Sequence, residues 1–276
     1  MQKTLNLKHV LTLSTLVSIL AIVASIGGLF IKDLYRDNAF VKSAWFTNDI
    51  ITLFVVIPLM IVSLWYTRKG SMRGELVLMG MLGYMSYNYA FYLFGAAFNP
   101  FFLVYVALFT ISVTALIIGF NNLQVESIAK QFSPKTPVKV VRIYILVIAV
   151  MLFLVEMSMI VSYFFTGILP ETIKLTGHPT SVVFAMDLSV IIPVSVITTI
   201  LLRKRNPWGY VLATMMLIKG FTYGLVLSIG TVLLAYSPVY GKWDPLMPLY
   251  VVLVIGGFIF CWMLLRNLTE KTKTNL

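Results

Sequence analysis

Charge is scarce in this chain. Only 11% of its 276 residues are Asp, Glu, Lys or Arg, whereas a soluble domain keeps about a quarter of its residues charged to hold a wet surface. A water-soluble domain is excluded on that ground, and so is a disordered chain. Cysteine is scarcer still. Cys261 stands alone, so no internal disulfide forms. Beside it there are two histidines, His9 and His178, too few ligands for an all-protein zinc site, and no metal or other cofactor is expected. Catalytic signatures are missing as well. There is no His-Glu-x-x-His, no phosphate-binding glycine loop and no Gly-x-Ser-x-Gly, so the chain leans away from enzymes.

What the chain has instead is apolar length. Hydrophobic residues make up 59% of it, and the mean hydropathy is +0.94. A bilayer core about 30 Å thick takes about 20 apolar residues in a helix. Eight stretches meet that requirement: 10–31, 45–66, 75–97, 99–120, 141–165, 181–202, 208–234 and 245–265. The third and fourth touch at Phe98-Asn99-Pro100, where proline suits a first helical turn and marks a tight hairpin. The fold class expected is therefore an all-α integral membrane protein with eight transmembrane helices. The first run carries Lys3 and Lys8 ahead of it and small residues at Ala21, Ala24 and Ser25, as a cleaved leader would. It continues to Ile31, too far for a leader, and is expected to stay as a helix.

The net charge of +11 would suit a nucleic-acid partner only if the basic residues clustered on one soluble face. They sit between the apolar runs, and no nucleic-acid binding is expected. With both termini on one side, that side carries fifteen Lys and Arg and the opposite side five, with Lys219 inside a span. Such a bias places both termini in the cytoplasm. Trp45, Trp65, Trp208 and Trp243 fall at the expected interfaces, where amphipathic rings belong. Arg68, Lys69, Arg203, Lys204 and Arg205 read as anchors for anionic lipids. The small size and brief loops point to a prokaryotic plasma membrane.

A shift of 135 residues lays the second span on the sixth and the third on the seventh. Pro58 then falls on Pro193, Arg68-Lys69 on Arg203-Lys204, Gly74 on Gly209, Met81-Leu82 on Met216-Leu217, and Tyr84 on Lys219. Asp49 and Asp187 share the start of the pattern but are displaced by three residues. The expected organisation is two tandem four-helix repeats, residues 1–120 and 141–276, joined by a basic cytoplasmic loop over 121–140. An even number of spans per copy relates them by a pseudo-two-fold axis along the membrane normal.

Ionisable side chains near a helix centre cost about 2.5–3.5 kcal/mol each, so each needs a reason. Lys219 lies near the middle of the seventh span and Glu156 slightly outside the midplane in the fifth. Asp187 lies six residues inside the outer end of the sixth span, and Asp49 is similarly shallow in the second. Asn88 shares a helical stripe with Tyr84 and Tyr92. Glu156, Lys219, Asp187, Asn88, Tyr84 and Asp49 are the candidates for a substrate or proton site in the outer half of the membrane. Plainer readings stand beside this one. Lys219 and one acid form a static interhelical pair; Asp187 is satisfied by headgroup water; Asp49, next to Thr47 and Asn48, is a helix N-cap. Gly220 and Gly224 read as a close helix contact. His178-Pro179 reads as an outer turn or a pH-sensing lid.

Three function classes follow. The favoured one is a small transporter or permease that takes a cation or zwitterion, or couples to protons. The second is a non-catalytic accessory, sensory or assembly protein whose charges meet a membrane partner. The third is an intramembrane lipid-modifying enzyme using Glu156 or Asp187.

Overall fold

The computed structural model describes residues 2–237 and 241–269, with side chains from residue 7 onward. Lys271, Lys273 and the side chain of Lys3 lie outside the described residues. The described elements are helical apart from one bridge between Phe132 and Leu268. In order they are α1 Gln2–Phe30, α2 Ala39–Arg68, α3 Met72–Gly95, α4 Phe102–Asn122 and α5 Val125–Gln131. Then come α6 Val138–Thr166, α7 Glu171–Thr176, α8 Val182–Arg203, α9 Pro207–Ala235 and α10 Met247–Arg266.

Among the described residues seven helices are long and apolar enough to cross a membrane: α1, α2, α4, α6, α8, α9 and α10. The chain is a multi-pass α-helical membrane protein. α3 matches the others in length, at 24 residues, but not in apolarity, because it carries Arg73, Glu75, Asn88 and four tyrosines. Position explains the difference. α2, α4 and α9 surround α3, so most of its side chains meet protein instead of lipid. α5 is a short helix over the basic connection, held by the buried Ile128 and followed by Phe132, which stacks on Tyr210 at 4.3 Å.

Two local expectations need correction. α2 begins at Ala39, well ahead of residue 45, because the Asn38 side chain accepts the Val41 N–H at 3.0 Å and caps the helix. Asp49 is therefore no N-cap; it sits deep inside α2 and is 2% exposed. At the hairpin, α3 stops at Gly95 and α4 starts at Phe102. Asn99 accepts the Phe101 N–H at 2.9 Å, and Pro100 lies in the turn ahead of the helix.

The two helices with a mid-span proline, α2 and α8, widen just before it. π turns run over Thr52–Val56 and Asp187–Ile191, where Ile57 N–H reaches Thr52 O and Ile192 N–H reaches Asp187 O. Proline lacks an N–H and crowds the carbonyl four residues earlier. A wider turn moves that carbonyl aside. The two π turns stand 135 residues apart, and the local geometry continues to match at that spacing. Gly70 and Arg205 both have positive φ, 81° and 49°. Ser71 and Asn206 cap the following helices. A Cβ on Gly74 would meet the backbone at Tyr66 and Thr67, and one on Gly209 the backbone at Leu201 and Leu202.

α3 and α9 meet along the centre of the bundle. A Cβ on Gly80 would lie 2.5 Å from Ile218 Cδ1, and one on Gly83 2.9 Å from Met215 Cε. On the outside, α1 packs along the length of α4, whereas α6 touches α10 at few places. That parting opens the second half of the bundle. α9 and α10 stay close through Gly224 and Gly257, where an added Cβ would come within 2.9 Å of Leu253 Cβ and 2.7 Å of the Phe221 nitrogen. Gly220 is looser, with Leu253 Cδ2 at 3.8 Å. We expect Gly257→Leu to destabilise the protein by about 1–3 kcal/mol, read as a lower melting midpoint in detergent. Gly220→Ala should leave the midpoint unchanged; equal effects would contradict this packing.

Candidate functional site

A cavity of about 370 Å³ occupies the gap, bounded by α2, α3, α6, α8, α9 and α10 and roofed by the segment 172–184. Its walls are mostly apolar. Toward the face where α6 begins and α10 ends, Tyr144 ties α6 to α10. Its hydroxyl donates to Val252 O at 3.2 Å, and its ring lies over Gly256, where no side chain fits. Toward the other face the roof is latched to the start of α2. Asn38 donates to Leu175 O and Thr176 O, each at 2.9 Å, and His178 Nε2 stands 3.6 Å from Asp37 Oδ1. Asp37 is itself buried, accepting from Trp45 Nε1 at 3.1 Å and from the Ala97 N–H at 2.9 Å.

Three charged side chains meet on the cavity wall. Lys219 Nζ lies 3.6 Å from Asp187 Oδ1. Tyr87 donates its hydroxyl to the same oxygen at 2.6 Å. The ammonium also sits over two rings, 4.2 Å from the centroid of Tyr87 and 4.9 Å from that of Tyr223. These rings meet edge to face at 5.2 Å. Glu156 lines the same cavity within electrostatic reach of Asp187 and Lys219. It is 2% exposed, and its Oε2 has no hydrogen-bond partner. The π turn starts at Asp187, so the widened backbone sits where the carboxylate must reach across to α9.

The other candidates lie elsewhere. Tyr84, Asn88 and Asp49 are buried in the first half and are not among the residues lining the cavity. Tyr84 donates to Asn48 Oδ1 at 3.3 Å and has the Thr52 hydroxyl 3.5 Å away. Thr52 and Tyr84 stand 135 residues before Asp187 and Lys219, so a neutral hydroxyl pair occupies the place that an ion pair takes in the second half. Asp49 accepts from Tyr35 at 2.5 Å and Tyr92 at 3.0 Å, with Gly28 packed against it. Burial first, and then the Asp49 charge, push the Tyr35 phenol far above its ordinary range, which keeps it a donor. Neither polar atom of the Asn88 amide is hydrogen-bonded. A Cβ on Gly28 would collide with the Asp49 carboxylate and the Tyr35 hydroxyl, so the contact between them requires glycine there.

Sequence reasoning passed over Tyr87 and Tyr223. Tyr223 follows Lys219 by one helical turn and shares its face, a spacing that does mark it. Tyr87 lies in an aromatic run that reads as packing, and only the approach of α3 to α9 distinguishes it. Among the described residues no three His, Cys, Asp or Glu side chains group as metal ligands. Set against known protein families, curated proteins and solved structures, the chain matches none. The functional reading therefore rests on the chemistry of the site itself.

Breaking a buried ion pair strands one charge and costs about 3–5 kcal/mol. Lys219→Met and Asp187→Asn should each lower the melting midpoint sharply. The double variant should recover much of the loss. Additive losses would show that the two side chains do not depend on one another.

Proposed function

We propose that the chain is a small transporter or permease, proton-linked or specific for a cation or zwitterion, with its site in the outer half of the membrane. One observation carries the reading: a large cavity holds Glu156, its side chain against Asp187 and its Oε2 without a hydrogen-bond partner, beside the Lys219–Asp187 pair. Ionisable groups deep in a bundle mark solute and proton paths when they face an internal cavity. A purely structural pair needs no cavity.

Two further assignments belong to the same proposal. α3 is an eighth span, enclosed by the others, and helices α1–α4 and α6, α8–α10 are tandem copies. The matched π turns, caps and glycines support this. So does the crossing of α3 and α9. Gly80 meets Ile218 while Gly83 meets Met215, and a shift of 135 turns each pair into the other. Such reciprocal contacts are what a two-fold axis produces, here along the membrane normal. The site then lies to one side of that axis, in the copy whose first and last helices have parted. Both termini are assigned to the cytoplasm of a prokaryotic plasma membrane, with Arg68, Lys69, Arg203, Lys204 and Arg205 facing anionic lipids at the turns.

Proteoliposomes containing a trapped pH dye test the function. A panel of amines, betaines and amino acids should include a solute whose addition moves protons across the bilayer. Glu156→Gln should reduce that movement at least tenfold while the melting midpoint stays within a few degrees. A panel without any response, or a response that survives Glu156→Gln, would overturn the reading.

A further inference from the structure

We propose that the cavity takes a lipophilic organic cation, whose positive centre is held by the Glu156 carboxylate in exchange for a proton. The proposal rests on the transport reading and narrows its substrate.

Charge complementarity decides the sign. Lys219 already has Asp187, and Asp187 already has both Lys219 and Tyr87. At the roof His178 has Asp37, and on the α10 side Asp244 accepts from Tyr250 at 3.0 Å and from the Leu246 N–H at 2.8 Å. Among the described residues that line the cavity, Glu156 is the carboxyl in excess of the cations: its side chain meets Asp187, another acid already paired with Lys219, and its Oε2 is buried and unmet. A zwitterion would need a free cation for its own carboxylate, and the ammonium of Lys219 is engaged. A positive ligand alone completes the site.

The walls decide the kind of cation. A small hydrated ion needs several oxygen ligands to replace its water, and this cavity presents mostly hydrocarbon and aromatic surface around Glu156. A large organic cation holds its water weakly, and its apolar body gains from leaving water. Its charge is also tolerated at ring faces. The protein already shows this solution in the way Lys219 rests over Tyr87 and Tyr223. The volume of about 370 Å³ falls among pockets that enclose drug-sized molecules.

Exchange follows from the same geometry. The carboxyl of Glu156 needs either a proton or a cation to offset its charge in apolar surroundings, and each displaces the other. The ionisable groups that face it are Asp187 from α8, Lys219 and Tyr223 from α9, and Tyr87 from α3. Tyr250 of α10 and His178 of the roof share the cavity. α2 contributes no ionisable group to the wall.

Tetraphenylphosphonium is the probe, titrated into the full chain in lipid nanodiscs, with empty discs subtracted. Binding should saturate near one per chain and release about one proton in weakly buffered solution. The apparent affinity should fall at least tenfold between pH 8 and pH 5.5. Glu156→Gln should abolish both binding and proton release. Glu156→Asp should keep the proton release at weaker affinity, which separates loss of the carboxyl from loss of the fold. The neutral triphenylphosphine oxide should bind, if at all, without pH dependence. Absent binding, or binding indifferent to pH and to Glu156→Gln, overturns the proposal. Proton-linked flux of an amino acid without phosphonium binding sinks this inference and leaves the transport reading standing. Phosphonium binding with proton release but no flux does the opposite.

Discussion

An ion inside a low-dielectric bundle must have a partner, and much of this structure is arranged around that requirement. Stranding one charge costs about 3–5 kcal/mol, a large share of the roughly 5–15 kcal/mol by which a protein of ordinary stability is folded. Lys219 therefore fixes the relation of three helices at once. α8 must bring Asp187 to 3.6 Å, α3 must bring the Tyr87 hydroxyl to the same oxygen, and both tyrosine rings must sit under the ammonium. α3 pays for none of this in lipid exposure, because it is enclosed. Glu156 strains the rule, because its side chain meets a second acid and its Oε2 meets nothing, and it lies where the bundle has opened.

The two halves solve similar local problems with different chemistry. Where the second half has an acid and an amine, the first has the hydroxyls of Thr52 and Tyr84. The first half carries its own buried acid, Asp49, three residues away from the matching position and satisfied by two phenols in a space closed by Gly28. A phenol can donate to a carboxylate without bringing a formal charge of its own. The packing of the two halves differs as well. α1 lies snugly along α4, and α6 stands away from α10. One half is built to stay shut, and the ionisable cluster is found in the other.

Much of the architecture could be read from residue order because it follows from hydrophobic length and turn chemistry. Apolar runs located the seven membrane-length helices, and Asn99-Pro100 located the hairpin. Helix ends were less accessible. Asn38 caps α2 from outside the apolar run, so a hydropathy pattern that starts at residue 45 misses the six residues 39–44, which Lys42 and Ser43 interrupt. α3 exposes the same weakness from the other direction, since a helix surrounded by protein need not be apolar. At the site, lateral position was not readable. Six polar residues at similar levels were grouped, and folding sends Glu156, Asp187 and Lys219 to one cavity while Tyr84, Asn88 and Asp49 go to the interior of the first half. Which face of a helix meets which neighbour is a property of packing, and a single sequence does not encode it in any period.

The widened turns at Thr52–Val56 and Asp187–Ile191 carry a consequence for how such a chain changes over generations. A π turn holds one residue more than the ordinary helix requires, so a single deleted codon within it would let the flanking segments close up in phase. Every face before and after the deletion would keep its orientation, but the proline would again crowd the carbonyl four residues earlier. In α8 the cut would fall within the turn that begins at Asp187, the residue paired with Lys219. Helix phase is thus separable from the room a proline needs by the smallest in-frame edit a gene can make, and the same edit in reverse is a route by which a plain helix acquires such a bulge.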